Sequence, residues 1–344
     1  YPCKSYGQGR INPAYFYGVF DPNDMRRDVS ITMTGSNGKG VEKLIPFVPN
    51  SKAEGGGLTL NKWDENRQAN PWVAAQRKSG INGPYMRMSE VYLGYAEVCA
   101  ALGDVVTGKQ YLKTVRERSF PQGLANTDAF IASFGNDLVR AIIEERGFEY
   151  AGEGDRRWTL IRSGYLPEDI KRIKDMTKAM MDGLATKGYY EFENGNIISA
   201  YIWTKLVDAK TIYGHRLTAQ CPTDKVNDPV LYPGWRGQKD NWEGMGLNYG
   251  SSTPATNLAI KGLFEIVSEE EAASLESQGY TKVNWGIDLV DNRDEYDKYL
   301  FWDYDYVSAP IYLWPFTPNV MAAGGFTNGY GSVSYTHLTL PTIA

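Results

Sequence analysis

The sequence predicts a mainly α fold decorated by long irregular segments and small β-hairpins. Three observations carry this. Apolar residues recur with helical spacing in close succession between residues 84 and 162, and again after Pro167. The links between those segments are short, which folds neighbouring helices back on one another. The stretches 1 to about 83 and 207 to about 256 are punctuated by Gly, Asn and Pro and lack helical period.

In chain order, "FDPNDMRRDVSITMTG" reads as a turn followed by a strand, with Asp24, Arg26 and Arg27 near its start. "LTLNKWDENRQANPW" is a polar loop carrying Trp63 and Trp72. Pro84 then opens a helix whose apolar stripe is Met88, Val91, Tyr92, Tyr95, Val98, Cys99 and Leu102. Gly103 and Asp104 break it, and Thr107 with Gln110 makes a capping box for a second helix bearing Tyr111, Leu112 and Val115. A third helix runs from about Asn136 to Tyr150. From Glu145 to Arg162, carboxylates and guanidinium groups alternate with aromatics, as if to tie that helix end to the loop after it.

Beyond Arg162, Pro167 marks a helix start, and Ile170, Ile173, Thr177, Met180 and Leu184 follow as one stripe, the methionines filling core. Asn194-Gly195 between apolar runs is the strongest short hairpin signal. Ser268 with Glu271 caps a short helix in "EIVSEEEAASLESQGY". The final "DEYDKYLFWDYDYVSAPIYLWPFTPNV" packs aromatics among aspartates.

Three of these motifs together carry a family resemblance. They are "YMRMSEVYLGYAEVCAALGD", then "YLKTVRERS", then "EERGFEYAGEGDRRWTLIRSG". Arg87, Ala96-Glu97, Val115-Arg116-Glu117-Arg118, Glu145-Arg146, Glu149, Glu153-Gly154 and Arg156 fall in the order of the pattern in the C-terminal half of the SusD/RagB family. The chain departs from that pattern at Gly152, where an aromatic is usual, and at Thr159, where Asp is usual. Asp24 and Arg26 loosely match the family's Asp-x-Arg.

The resemblance implies a helical-repeat, tetratricopeptide-like scaffold and capture of an oligosaccharide at the outer membrane of a Bacteroidetes-type bacterium. The captured ligand would pass to a SusC-like TonB-dependent transporter with no chemistry, cofactor or metal. The family also includes peptide binders. It further implies a division into residues 1–83, an irregular segment of the ligand-facing region, and 84–332, a helical domain with long loop insertions. A signal peptide, lipidated cysteine and N-terminal helices precede these in the family, so the chain reads as starting mid-protein, and the membrane would be reached only through that anchor. Cys3, with no apolar run before it, is not the lipidated cysteine. "VSYTHLTLPT", within residues 333–344, resembles a translated sequencing adapter and is set aside together with His337.

Composition narrows the function classes. A chain of 344 residues with net charge −5 lacks the basic face that nucleic acid wants. Cys3, Cys99 and Cys221 show no paired spacing, and Cys99 reads as a small buried hydrophobe. Two histidines, His215 and His337, make a histidine triad or metal centre a poor fit. Asp291, Asp294, Asp297, Asp303 and Asp305 lack the alternate spacing and mid-loop glycine of a calcium loop, and read as a solvated face. Gly55-Gly56-Gly57 lacks the Lys-Ser/Thr of a phosphate loop.

Two chemistries remain. Glu145, Glu149 and Glu153 could supply the carboxylate pair of a glycoside hydrolase. Each has an Arg within a turn, which lowers a carboxylate pKa and favours a structural reading, and Arg87 with Glu90 and Glu97 is read the same way. The second chemistry is aromatic stacking. With 9 Trp and 24 Tyr the chain is rich in rings that bear a polar handle. Trp63 and Trp72 bracket Arg67 and Asn70, while Trp235 and Trp242 bracket Arg236 and Gln238. A sugar offers an apolar C–H face to the ring and hydroxyls to such polar neighbours. Two readings stand for each ring: ligand platform, or staple of a loop onto the helices.

Overall fold

In the computed structural model, residues 11–36, 42–47, 57–60, 62, 83–120, 123–208 and 256–294 are described. Two short helices open it. Helix α1 (Pro13–Gly18) starts where Asn12 accepts from the Ala14 amide and Pro13 presets the first turn. Helix α2 (Met25–Ser30) is capped by Asp24, which accepts from the Arg26 amide. The expected direct passage from turn to strand is therefore corrected: a helical turn intervenes, and Arg26 and Arg27 project from it. Strands follow as antiparallel pairs, β1 (Ile31–Thr32) with β4 (Thr59–Leu60) and β2 (Thr34–Ser36) with β3 (Glu42–Leu44).

Helix α3 (Met88–Ala101) begins after Arg87, four residues later than Pro84 suggested. Its buried side is Ser89, Leu93, Ala96 and Cys99. Met88, Val91, Tyr95 and Val98 are half exposed or more, and Leu102 is 82% exposed. The expected stripe thus fell largely on the outer face, with Tyr92 and Cys99 at its margin. The cause is that α3 is apolar around most of its circumference, so periodicity does not choose the inward side. Helix α4 (Val105–Glu117) folds back against it, burying Leu112 and Val115. Its cap is Asp104, accepting from the Thr107 amide at 3.1 Å, so the expected Thr107–Gln110 box is corrected to a simple Asp cap.

Helix α5 (Thr127–Ala132) leads into α6 (Leu138–Glu149), which is buried along nearly its whole length. Helices α7 (Asp155–Ser163) and α8 (Leu166–Lys187) complete the helical body, with Pro167 in the first turn of α8 and Ile170, Thr177, Met180, Met181 and Leu184 inward. Hairpin β5 (Tyr189–Glu191) with β6 (Ile197–Ser199) turns at Asn194-Gly195. Gly195 takes φ +82° while Asn194 does not turn left-handed, and the Gly195 amide bonds to the Phe192 carbonyl, so the turn is type I with a glycine bulge. Strand β7 (Tyr201–Asp208) lies between β8 (Thr256–Lys261) and β9 (Thr281–Asn284) in a three-stranded antiparallel sheet. Helices α9 (Glu269–Ser277), with the full Ser268–Glu271 capping box, and α10 (Gly286–Asp291) close the described chain.

The fold is mainly helical, as expected. The first segment shares its core: Phe16, Tyr17, Ile31 and Leu58 pack with Phe148, Met180, Ile202, Ile260 and Trp285. Trp285, fully buried, donates its indole N–H to the Tyr17 hydroxyl at 2.8 Å, and its ring lies 4.1 Å from that of Phe47. A second cluster joins α3, α4 and α6 through Leu93, Ala96, Leu112, Val115 and Ile142. No described helix is long and apolar enough to cross a membrane.

Candidate functional site

The charged residues of the third motif converge at the C-terminal end of α6, where its inward face carries Glu145 and Glu149. Glu145 is fully buried and accepts from Arg26 at 2.6 Å and from Arg116 at 3.0 Å. Glu149 receives three guanidinium groups: Arg87 at 2.7 Å, Arg26 at 3.2 Å, and Arg118. Burial alone would raise the Glu149 pKa, but the charges of Arg26 and Arg118 and the hydrogen bonds from Arg87 and Arg118 hold it at about 2. One turn on, Glu153 is gripped by Arg87 at 2.8 and 3.1 Å and by Lys62. Burial lowers the Lys62 pKa, against the pull of Glu153.

On the opposite side of α6, Glu144 and Asp169 each accept from both Arg156 and Arg172. Arg146 binds Asp155 at 2.6 Å and Glu90 at 3.3 Å, while Arg162 pairs with Glu97. Arg87 therefore serves Glu149 and Glu153 rather than Glu90. Thr159, one of the two departures, donates its hydroxyl to Asp155 and accepts from Arg146, so Asp155 carries the charge on that side. Gly152, the other, stands at φ +78°, where an added Cβ would fall 2.4 Å from Leu60. Gly152→Ala should accordingly destabilise the chain by more than about 1 kcal/mol, read by thermal melt.

A carboxylate saturated by cations stays ionised, accepts hydrogen bonds and holds segments together; it does not deliver a proton. The network pins α2 through Arg26, the start of α3 through Arg87, and the end of α4 through Arg116 and Arg118. It also holds both margins of the segment between Lys62 and Arg87. Lys62 donates to the Glu149 carbonyl at 2.5 Å and pairs with Glu153, and Arg87 reaches the same carbonyl at 3.0 Å. The roles of Lys62 and Arg26 escaped the sequence reading, since only the loose Asp-x-Arg match pointed toward Arg26.

Trp63, Arg67, Asn70 and Trp72 belong to that clamped segment and lie outside the described residues, as do Trp235 and Trp242. Residues 209–255, which contain the second pair, leave β7 at Asp208 and return at its partner Thr256 in β8. The aspartates beyond Asp294 and the tail 333–344 are likewise outside. Among the described residues, no group of three His, Cys, Asp or Glu is placed to hold a metal ion.

The model of the SusD family matches residues 4–315. A SusD-like protein P25 of Formosa agariphila is 28% identical over 160 residues, covering 46% of this chain and 26% of that protein. The match thus spans about a quarter of the relative's length. No solved structure matches the chain.

Proposed function

Because the chain belongs to the SusD family, we propose that it captures an oligosaccharide at the bacterial cell surface and hands it unchanged to a TonB-dependent outer-membrane transporter. Family membership supports a nutrient-binding surface protein in general; the glycan, the transporter, the outer-membrane location and the lipid anchor belong to the proposal. One observation supports capture over hydrolysis: the glutamates at the end of α6 are tied to guanidinium groups, and Glu149, at about 2, is far from the raised pKa a glycosidic acid needs. The same ion pairs hold Lys62 and Arg87, the two margins of the segment whose sequence bears Trp63 and Trp72.

A glycan and peptide array probed with this chain tests the reading. Glycan binding without release of shorter products is the expected result; binding confined to peptides transfers the reading to oligopeptide capture, and cleavage overturns it. On the array-identified glycan, Trp63→Ala and Trp72→Ala should each cost roughly 2 kcal/mol or more in affinity, as central aromatic anchors do, with little change in melting temperature. The same applies to Trp235 and Trp242. Unchanged affinity with a large drop in melting temperature marks a ring as a loop staple.

A further inference from the structure

The three-stranded sheet has one face turned to the core and one turned away from it. Ile202, Leu258, Ile260 and Val283 turn toward the core. Alternation along the strands then places Tyr201, Trp203 and Lys205 on the opposite face. The register sets Trp203 directly between Lys261 of β8 and Lys282 of β9. Lys282 is exposed, and its Nζ lies 4.1 Å from the centroid of the Tyr201 ring and 5.9 Å from that of Trp203. On the next row, Lys205 Nζ stands 5.8 Å from the Tyr280 ring and donates to the Gln278 carbonyl at 2.6 Å.

Charge is what distinguishes this face. Around α6 every guanidinium discussed above meets a carboxylate. Among the described residues, Lys205, Lys261 and Lys282 meet none. In a chain of net charge −5 this is a local reversal of sign. At the floor of the face, Trp203 is 6% exposed, and its indole N–H has no acceptor among the described residues.

We propose that this face binds a uronate-bearing oligosaccharide, with Lys261 and Lys282 taking ring carboxylates and Tyr201 taking the apolar side of a ring. The inference rests on the capture reading above and names its ligand class. An exposed ammonium held over a half-buried aromatic ring is weakly bound, so a carboxylate draws Lys282 off Tyr201 into a stronger ion pair. That movement bares the Tyr201 ring to the C–H face of the sugar that carries the carboxylate. Lys261 and Lys282 stand on the two strands flanking β7, their Cα atoms roughly 10 Å apart, so they meet carboxylates on separate rings.

The test is calorimetric titration of the chain with an oligogalacturonate hexamer, a carrageenan hexasaccharide that bears sulfates and no carboxylate, and maltohexaose, read beside the glycan array. The expected result is binding of oligogalacturonate that weakens at least tenfold in the K261Q/K282Q double variant and falls as salt rises. Lys113→Gln, on the exposed side of α4, should leave that affinity unchanged, and Lys282→Arg should largely preserve it. Equal binding by the double variant overturns the inference, as does preference for the sulfated or neutral hexamer. Array hits confined to neutral glycans overturn this inference and leave the capture reading standing. No glycan hit at all overturns both.

Discussion

Glu149→Gln is expected to lower the unfolding free energy by about 3–5 kcal/mol, because three guanidinium groups then lose their common buried anion. Acid makes the effect specific. The folded pKa of about 2 lies below the ordinary value of 4.5, so this carboxylate stabilises the fold above about pH 4.5 and the contribution drains away as pH falls toward 2. That depression corresponds to about 3 kcal/mol. Chemical denaturation of wild type and variant at pH 7, 4.5 and 3 should show a gap that is widest at pH 7 and 4.5 and narrower at 3. A gap that stays constant with pH would mean that the Gln variant fails by lost packing, and the electrostatic account of α6 would fall.

Trp285→Ala is expected to cost about 3–5 kcal/mol, the range for removing a large buried ring. It opens a hole beside Phe47 and leaves the Tyr17 hydroxyl without its indole donor. Tyr17 has its pKa pushed well up by burial, so its hydroxyl stays neutral and must find a new partner inside the core. Trp285→Phe should recover much of the packing and none of that hydrogen bond. Because the ring joins α1 to the chain entering α10, the loss should appear in the main unfolding transition and not as a separate early step. An early, separate loss of the α10 signal with the main melt unchanged would place Trp285 outside the cooperative core.

The elements legible in the sequence are those whose signal is local. Helix α8 declared itself by Pro167 and a clean stripe, α9 by the Ser268–Glu271 box, and the β5–β6 hairpin by Asn194-Gly195. Helices α1 and α2 did not, because six residues are too few for a period and only their Asn12 and Asp24 caps mark them. The inward side of α3 was unreadable for the opposite reason: both sides are apolar, and Leu93 and Ala96 turn inward only because α4 and α6 are there to receive them. At the candidate site the three motifs foretold that Glu145, Glu149 and Glu153 would be paired. They did not foretell the partners, since Lys62 and Arg26 reach α6 across the fold and leave no trace in local spacing.

The clamp at Lys62 and Arg87 has a consequence for how such a protein changes over time. When ion pairs fix both margins of a segment, the entropy of closing it grows only with the logarithm of its length, about 0.6 kcal/mol for each doubling. The closure cost of a longer or shorter stretch between them is then small beside the ion pairs that hold its margins. Glu149 and Glu153 act as a fixed socket, and the stretch between Lys62 and Arg87 as an exchangeable insert. On the proposed function, ligand choice can drift in that insert while selection on folding falls on the socket. Swapping the insert for one of different length and composition should therefore leave the melting temperature within a few degrees and, on the proposed function, change which glycan is held.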